Sequence, residues 1–352
     1  MNDASIATAV VQWQAAHGRN HLPWQGTRDP YRVWLSEIML QQTQVTTVLG
    51  YYERFLQAFP DVASLAAASQ ESVLALWSGL GYYSRARNLH RCAQMVVEQW
   101  GGMFPRSAED LATLPGIGRS TAAAIAAFCF SERVAILDAN VRRVLTRVLG
   151  FDADLAQAKN ERELWGKANA LCPRENLEQA MPRYTQGLMD LGATICLPRK
   201  PSCLVCPLHA LCRAGRAGNP EAYPVRTRKL KRSSEAWWLL IAVDEERRVW
   251  LERRPQQGIW AGLFSPRVFD SREALEQAVA LQWPSAGAPR DLPAFLHVLT
   301  HKDLHLHPVL IPVRAAAVAR VAEDGRWAAA ADWAGMGLPA PVRRLLDEEL
   351  AS

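Results

Sequence analysis

The chain has 352 residues, about half of them apolar and a fifth charged, which describes globular rather than disordered protein and is long enough for two cores. No apolar run reaches the ~18 residues that would span a bilayer, and the first ten residues lack the basic start and apolar stretch of a secretory signal, so a cytoplasmic protein without membrane association is expected. The net charge of +5 is only mildly basic, but it is concentrated: residues 213–232 carry Arg213, Arg216, Arg226, Arg228, Lys229, Lys231 and Arg232 against the single acid Glu221, which suits either a phosphate-binding face or a solvated linker.

In chain order, apolar residues recur at three and four spacings in Tyr31–Leu40, Val45–Phe59, Ser72–Leu80, Ala86–Gln99 and Arg119–Phe130, predicting helices. Turn signals separate them at Phe59-Pro60-Asp61, Gly79–Gly81, Gly101-Gly102 and Leu114-Pro115-Gly116. The helical pattern runs to about residue 212. Beyond the basic stretch the period changes to two. Trp237–Val243, Val249–Glu252, Ala294–Thr300 and Leu304–Val313 read as strands, and Arg272–Leu281 as a helix. A mainly α first half followed by a small α+β domain is therefore expected. His305 and His307 alternate with Leu304 and Leu306, the pattern of a strand face rather than of a metal site.

Four groups of residues carry chemistry. Leu114-Pro115-Gly116-Ile117-Gly118-Arg119-Ser120 is a tight turn opening into a helix, where backbone N–H groups and the helix N-terminus favour an anion such as a DNA phosphate; an ordinary helix–helix turn is the plainer reading. Asp138-Ala139-Asn140-Val141 follows about twenty residues later, and taken alone Asp138 reads as a surface or capping residue. Cys196, Cys203, Cys206 and Cys212 fall within seventeen residues and can wrap one metal centre. Zinc usually takes two short Cys-x-x-Cys units and only one is present, while four thiolates also suit an iron–sulfur cluster. Seven cysteines without a signal segment argue against a disulfide framework, and Cys92, Cys129 and Cys172 lie in helical patterns as core thiols. Finally, Trp34-Leu35-Ser36-Glu37-Ile38-Met39-Leu40-Gln41-Gln42 sets a glutamate in an apolar helix and follows it with amides able to bond base edges from the minor groove.

The Leu-Pro-Gly-Ile-Gly string resembles the helix-hairpin-helix of the endonuclease III superfamily of base-excision glycosylases, and the aspartate and the four-cysteine spacing follow in that family's order. The Glu37 region, Leu22-Pro23-Trp24 and Gly79-Leu80-Gly81-Tyr82-Tyr83-Ser84-Arg85-Ala86-Arg87 are similar to the adenine-glycosylase (MutY) branch. The resemblance implies a helix-hairpin-helix glycosylase fold over residues 1–225 with a [4Fe–4S] loop at 196–212, a basic linker at 226–234 and a Nudix-like domain at 235–352 that recognises 8-oxoguanine. It implies Glu37 and Asp138 as the catalytic carboxylates, with Asn140 and Tyr82 positioning them and the DNA backbone. DNA and base contacts are implied for Arg19, Trp24, Leu40, Gln41, Gln42, Arg85, Arg87, Gly116, Gly118, Ser120 and Gln186, and cluster ligation for Cys196, Cys203, Cys206 and Cys212.

Strand-cutting members of the superfamily carry a lysine where this chain has Ser120, and serine cannot form their imine, so a monofunctional enzyme is implied. Its expected substrate is double-stranded DNA with adenine opposite 8-oxoguanine or guanine, and it is expected to act as a monomer at a bacterial-type nucleoid. Arg253-Arg254-Pro255 with Gly258–Pro266 resembles the Nudix-like half. Gln277 replaces the last metal-binding glutamate of that fold and Arg267-Val268 its glycines, which argues for a reader rather than a nucleotide pyrophosphatase. The family's reading loop aligns with Val298-Leu299-Thr300-His301-Lys302, where Leu299 replaces an aromatic, Thr300 keeps a hydroxyl and His301 is retained; a plain hairpin turn is the alternative. The competing readings are an endonuclease III-like lyase on oxidised pyrimidines and a catalytically silent mismatch binder.

Overall fold

The computed structural model describes residues 3–227, 231–315 and 324–350. Fourteen helices form among these: α1 Asp3–His17, α2 Pro30–Leu40, α3 Val45–Ala58, α4 Val62–Ala67, α5 Gln70–Trp77, α6 Ser84–Trp100, α7 Ala108–Leu111, α8 Arg119–Phe130, α9 Ala139–Leu149, α10 Ala158–Leu171, α11 Leu177–Thr194, α12 Arg213–Arg216, α13 Arg272–Gln282 and α14 Ala340–Leu350. The strands are β1 Ser233–Val243, β2 Val249–Arg253, β3 Phe264–Ser265, β4 Arg267–Phe269, β5 Arg290–Asp291, β6 Phe295–Val298, β7 Lys302–Pro312 and β8 Gly325–Ala328. No helix among the described residues is long and apolar enough to cross a membrane.

Compactness divides the chain into two units, Met1–Ala66 with Arg91–Lys229, and Ala67–His90 with Leu230–Ser352. The first is all-helical. One of its cores gathers Ile6 and Val10 of α1, Ala123 and Ala127 of α8, Val144 and Leu145 of α9, Leu164 of α10, and Tyr184 and Leu188 of α11. Caps follow the sequence signals: Asp29 accepts the Tyr31 N–H ahead of Pro30 at the start of α2, and Asp138 caps α9. The expected helix through Leu80 stops at Trp77, because Gly79 and Gly81 turn the chain with φ of 97° and 74°.

The second unit is built on one sheet of order β3-β2-β1-β7-β5, with β4 on β1, β6 on β7 and β8 on β2. Its spine is the parallel pair β1 and β7, in register from Ser233↔Lys302 to Val243↔Pro312. Leu304 and Leu306 are buried, His305 is exposed, and His307 stacks on Trp238 with ring centroids 4.7 Å apart, so the alternation is that of a strand face. Segment 67–90 joins this unit through its own contacts. Glu71 is ion-paired with Arg253 at 2.8 Å and with Arg326, and both guanidinium groups lie over the Phe264 ring. Ser78 and Tyr83 hydroxyls both donate to the Leu338 carbonyl, at 2.8 and 3.1 Å.

Candidate active site

A cavity of about 360 Å³ opens in the helical unit. α2 contributes Val33, Ser36 and Glu37, which share one face because they are three and four residues apart. α11 contributes Glu178, Gln179, Pro182, Arg183 and Gln186, and the loop before α2 contributes Asn20 and Trp24–Arg28. Pro182 has no N–H to give the Glu178 carbonyl one helical turn back; Arg28 Nη2 donates to it instead, at 2.7 Å. Gln14 and Gln25 line the cavity as well, with one amide atom each, Gln14 Oε1 and Gln25 Nε2, buried behind its surface without a hydrogen-bond partner.

Glu37 sits half-buried on this wall. Burial raises its pKa from 4.5 to about 8, and the negative charge of Asp138 adds to the shift. Asp138 is therefore near enough to be felt. It lies at the N-terminus of α9, where Oδ1 accepts the N–H groups of Asn140 and Val141 at 2.6 and 2.8 Å. Burial raises the Asp138 pKa; those two amides, Arg143 and Arg142 oppose the rise. Asp138 does not itself line the cavity; its capping of α9 and its electrostatic influence on Glu37 are compatible.

The seat of Asp138 is tightly held. Ser120 Oγ accepts the Leu137 N–H at 3.0 Å, so Ser120 tethers the extended segment that enters α9. α11 crosses the first turn of α9 at Gly192, where an added Cβ would stand 2.7 Å from Asn140 Cβ. Arg143 donates to Asn140 Oδ1, the Gly192 carbonyl and the Cys196 carbonyl. Gly116 takes φ +77°, Leu114 and Ile117 bury their side chains, and Gly118 N-caps α8 with no side chain over its first amides. Gln41 caps the end of α2 and its amide reaches Thr121 Oγ1 at 3.4 Å; Leu40 is half-buried, and Gln42 is exposed with φ +57°. Trp24 is buried against Tyr52 and lines the cavity. Arg19 does not line it: its guanidinium Nε is ion-paired at 2.7 Å with Asp190, which is fully buried.

Cys196, Cys203, Cys206 and Cys212 line one pocket walled by Val144, Val148, Leu191 and Leu208. Arg147 Nη1 donates to Cys196 Sγ and the Gly215 N–H to Cys212 Sγ, both at 3.3 Å. Burial pushes Cys206 up to about 11 and raises Cys212, so thiolates here require a cationic centre to hold them. Among the described residues no three His, Cys, Asp or Glu side chains form a single-ion site. Cys92, Cys129 and Cys172 are buried, with pKa values pushed up to about 12, 12 and 11 by burial.

In the second unit a cleft of about 960 Å³ is lined by Tyr82, Arg87, Trp237, Arg254, Trp260 and the turn Val298–Lys302. That turn closes with the Leu299 N–H on the Lys302 carbonyl at 2.8 Å; Thr300 and His301 are exposed, and Thr300 Oγ1 lies 2.6 Å from the Tyr82 hydroxyl. Arg87 donates to the Ala261 carbonyl at 2.7 Å. Arg85 differs from its expected place at a nucleic-acid surface: it is buried, donates to the carbonyls of Leu80 and Gly81, and burial lowers its pKa to about 10. In α13, Glu276 is ion-paired with Arg272 at 2.8 Å. Sequence reasoning passed over Gln14, Gln25, Arg143, Arg147 and Asp190, each of which looks locally like any helix or loop polar residue.

Residues 35–170 match the HhH-GPD superfamily of base excision DNA repair proteins and residues 237–348 match the NUDIX domain. The chain is 35% identical to an adenine DNA glycosylase of Buchnera aphidicola over 96% of its own length and 95% of that protein. It is 44% identical to the human adenine DNA glycosylase over 58% of this chain and 38% of that one. Among solved structures, a thermostable thymine-DNA glycosylase aligns over 61% of this chain and 97% of its own, with TM-score 0.54 and 28% identity. Helical unit, carboxylate pair and Nudix-like sheet thus share one chain with relatives matched end to end, and the protein belongs to the adenine DNA glycosylase family.

Proposed function

We propose that the protein is a monofunctional glycosylase that excises adenine opposite 8-oxoguanine or guanine in double-stranded DNA. The observation that carries this reading is Glu37, a carboxylic acid on the wall of a cavity that keeps its proton to about pH 8 through burial and, secondarily, through the negative charge of Asp138. Breaking the C1′–N9 bond leaves its electron pair on adenine and positive charge on the sugar. Glu37 gives its proton to adenine N7, which makes the base a neutral leaving group. Asp138, fixed by two amides, holds negative charge against the sugar. Water then adds to C1′ and its proton returns to the Glu37 carboxylate, restoring the acid. The adenine reaches the cavity by leaving the stack, at a cost of a few kcal/mol (order of magnitude) that a mispair lowers.

Gly116 and Gly118 at the open start of α8 hold the phosphate backbone, Leu40, Gln41 and Gln42 fill the vacated stack, and Asn140 and Tyr82 position the reacting groups. Thr300 and His301, on the turn that meets Tyr82, read the opposite base. The four cysteines hold a [4Fe–4S] cluster; their spacing, their common pocket and the N–H groups aimed at two of the sulfurs support this. When bound, the cluster supplies positive charge to four half-buried thiolates and shapes the loop. With genomic DNA as substrate, the protein works at the nucleoid as a monomer.

The test is a duplex with labelled adenine opposite 8-oxoguanine, incubated with the protein and split before hot alkali. Breaks on the adenine strand only after alkali are expected. Breaks without alkali would point to lyase chemistry, and no breaks in either half to a binding protein.

A further inference from the structure

Asp190 lies on α11 one turn beyond Gln186, fully buried, and every polar group turned toward it is a donor. Its Oδ2 accepts the Arg19 backbone N–H at 3.0 Å. Its Oδ1 accepts Arg19 Nε at 2.7 Å and Gln186 Nε2 at 2.9 Å. A carboxylate only accepts, so it dictates which end of the Gln186 amide it meets: the nitrogen is committed to Asp190, and the carbonyl oxygen is left for the cavity that Gln186 lines. A second amide is anchored through its nitrogen as well. Gln14 Nε2 donates to Asn20 Oδ1 at 2.6 Å, while Gln14 Oε1 is buried behind the cavity surface and Gln186 is left as the amide turned to the cavity.

We propose that Asp190 is a specificity-determining positioning residue: by fixing the Gln186 amide it makes the pocket present an acceptor, which selects a base carrying an exocyclic amino group over one carrying an oxo group. The inference rests on the adenine reading above and extends it. If Glu37 protonates N7, the neighbouring substituent on the purine ring is the 6-position, the one at which adenine donates and hypoxanthine accepts. A site whose buried acceptors lose their donor partner discriminates strongly, because those groups are left unsatisfied. Asp190 touches no base, and its effect passes through Gln186.

The experiment compares single-turnover release of adenine, hypoxanthine and unsubstituted purine opposite 8-oxoguanine. It uses the full-length holoprotein and the variants Asp190→Asn, Gln186→Met and the two combined, with melting temperatures recorded beside the rates. In Asp190→Asn the amide at 186 is free to turn, and the adenine-to-hypoxanthine ratio is expected to fall by about tenfold or more, with purine the least affected. Gln186→Met should reproduce that fall, and the double variant should add nothing to it. A folded Asp190→Asn that keeps the wild-type ratio, or slows all three bases alike, overturns the proposal. So does an unchanged ratio in Gln186→Met, which holds even if Asp190→Asn fails to fold. Wild-type protein releasing no adenine would instead sink the underlying glycosylase reading, and is distinguished by the absence of any rate to compare.

Discussion

Glu37 keeps its proton at neutral pH because the half-buried wall of the cavity solvates an anion poorly and Asp138 already supplies negative charge nearby. Two measurements follow from that one group. As the general acid, it should give a single-turnover rate that declines about tenfold per pH unit above about pH 8. Its proton affinity is higher folded than unfolded, so from pH 4.5 to about 8 the native state holds more protons and stability falls as pH rises. Glu37→Gln removes that slope. Its melting temperature relative to wild type should therefore climb between pH 5 and pH 9, while adenine release is lost and mismatch binding is kept. The ceiling on that gain is about 5 kcal/mol, at about 1.4 kcal/mol per tenfold change in proton affinity. An advantage that shrinks with pH, or a Glu37→Gln protein cutting at wild-type speed, would remove Glu37 from the mechanism.

At the scale of elements, the seat of Asp138, the proposed catalytic aspartate, is held by the crossing of α9 and α11. Gly192 permits that crossing: its missing Cβ would meet Asn140 Cβ at 2.7 Å and the Asn140 backbone carbon at 3.1 Å, neither of which can swing away. Gly192→Ala should cost about 1–3 kcal/mol through the forced separation of the helices. It should also slow adenine release by roughly a hundredfold if Asp138 moves by an ångström. Gly50, inside α3, is the control. Nothing lies within 4 Å of its added Cβ, so Gly50→Ala should stabilise by about 0.5–1 kcal/mol with no loss of activity. Ser120 works at the same junction: Ser120→Ala leaves the Leu137 N–H without its acceptor and should cost about 1–2 kcal/mol, read as a lower urea midpoint.

At the scale of the whole molecule, segment 67–90 is separated in sequence from the C-terminal half yet folds with it. Trp77 is fully buried and Leu74 nearly so; Ser78 and Tyr83 donate to Leu338, and Glu71 meets Arg253 and Arg326. A chain ending at residue 227 removes every one of those partners. It should melt at lower temperature than the full chain, by roughly 5 °C or more, and bind a hydrophobic dye through the uncovered apolar side chains. Its preference for 8-oxoguanine over guanine opposite adenine should weaken as well, since the turn carrying Thr300 and His301 is gone. Full retention of both properties would show that residues 67–90 are stable without the second half.

Features set by near neighbours were legible in the sequence. The α8 boundaries follow from Gly118 and the apolar run after it, and Asp29-Pro30 marks the start of α2. The alternation of leucines and histidines sets the faces of β7, and the spacing of four cysteines brings them to one pocket. Glu37 is marked by its place in an apolar helix ahead of a run of amides, whereas Asp138 alone reads as a cap and is singled out only by the resemblance of its string to the glycosylase superfamily. Long-range pairing was not legible. Asp190 meets Arg19 across 171 positions, and nothing beside either residue announces the other. Arg85 resembles a surface cation until the carbonyls of Leu80 and Gly81 and the rings of Trp77 and Tyr82 are folded around it. The free Glu178 carbonyl left by Pro182 finds Arg28 150 residues away. Local conformation is a property of adjacent residues and can be read from them; burial, and with it the proton on Glu37 and the direction of the Gln186 amide, exists only once distant helices have closed around those groups.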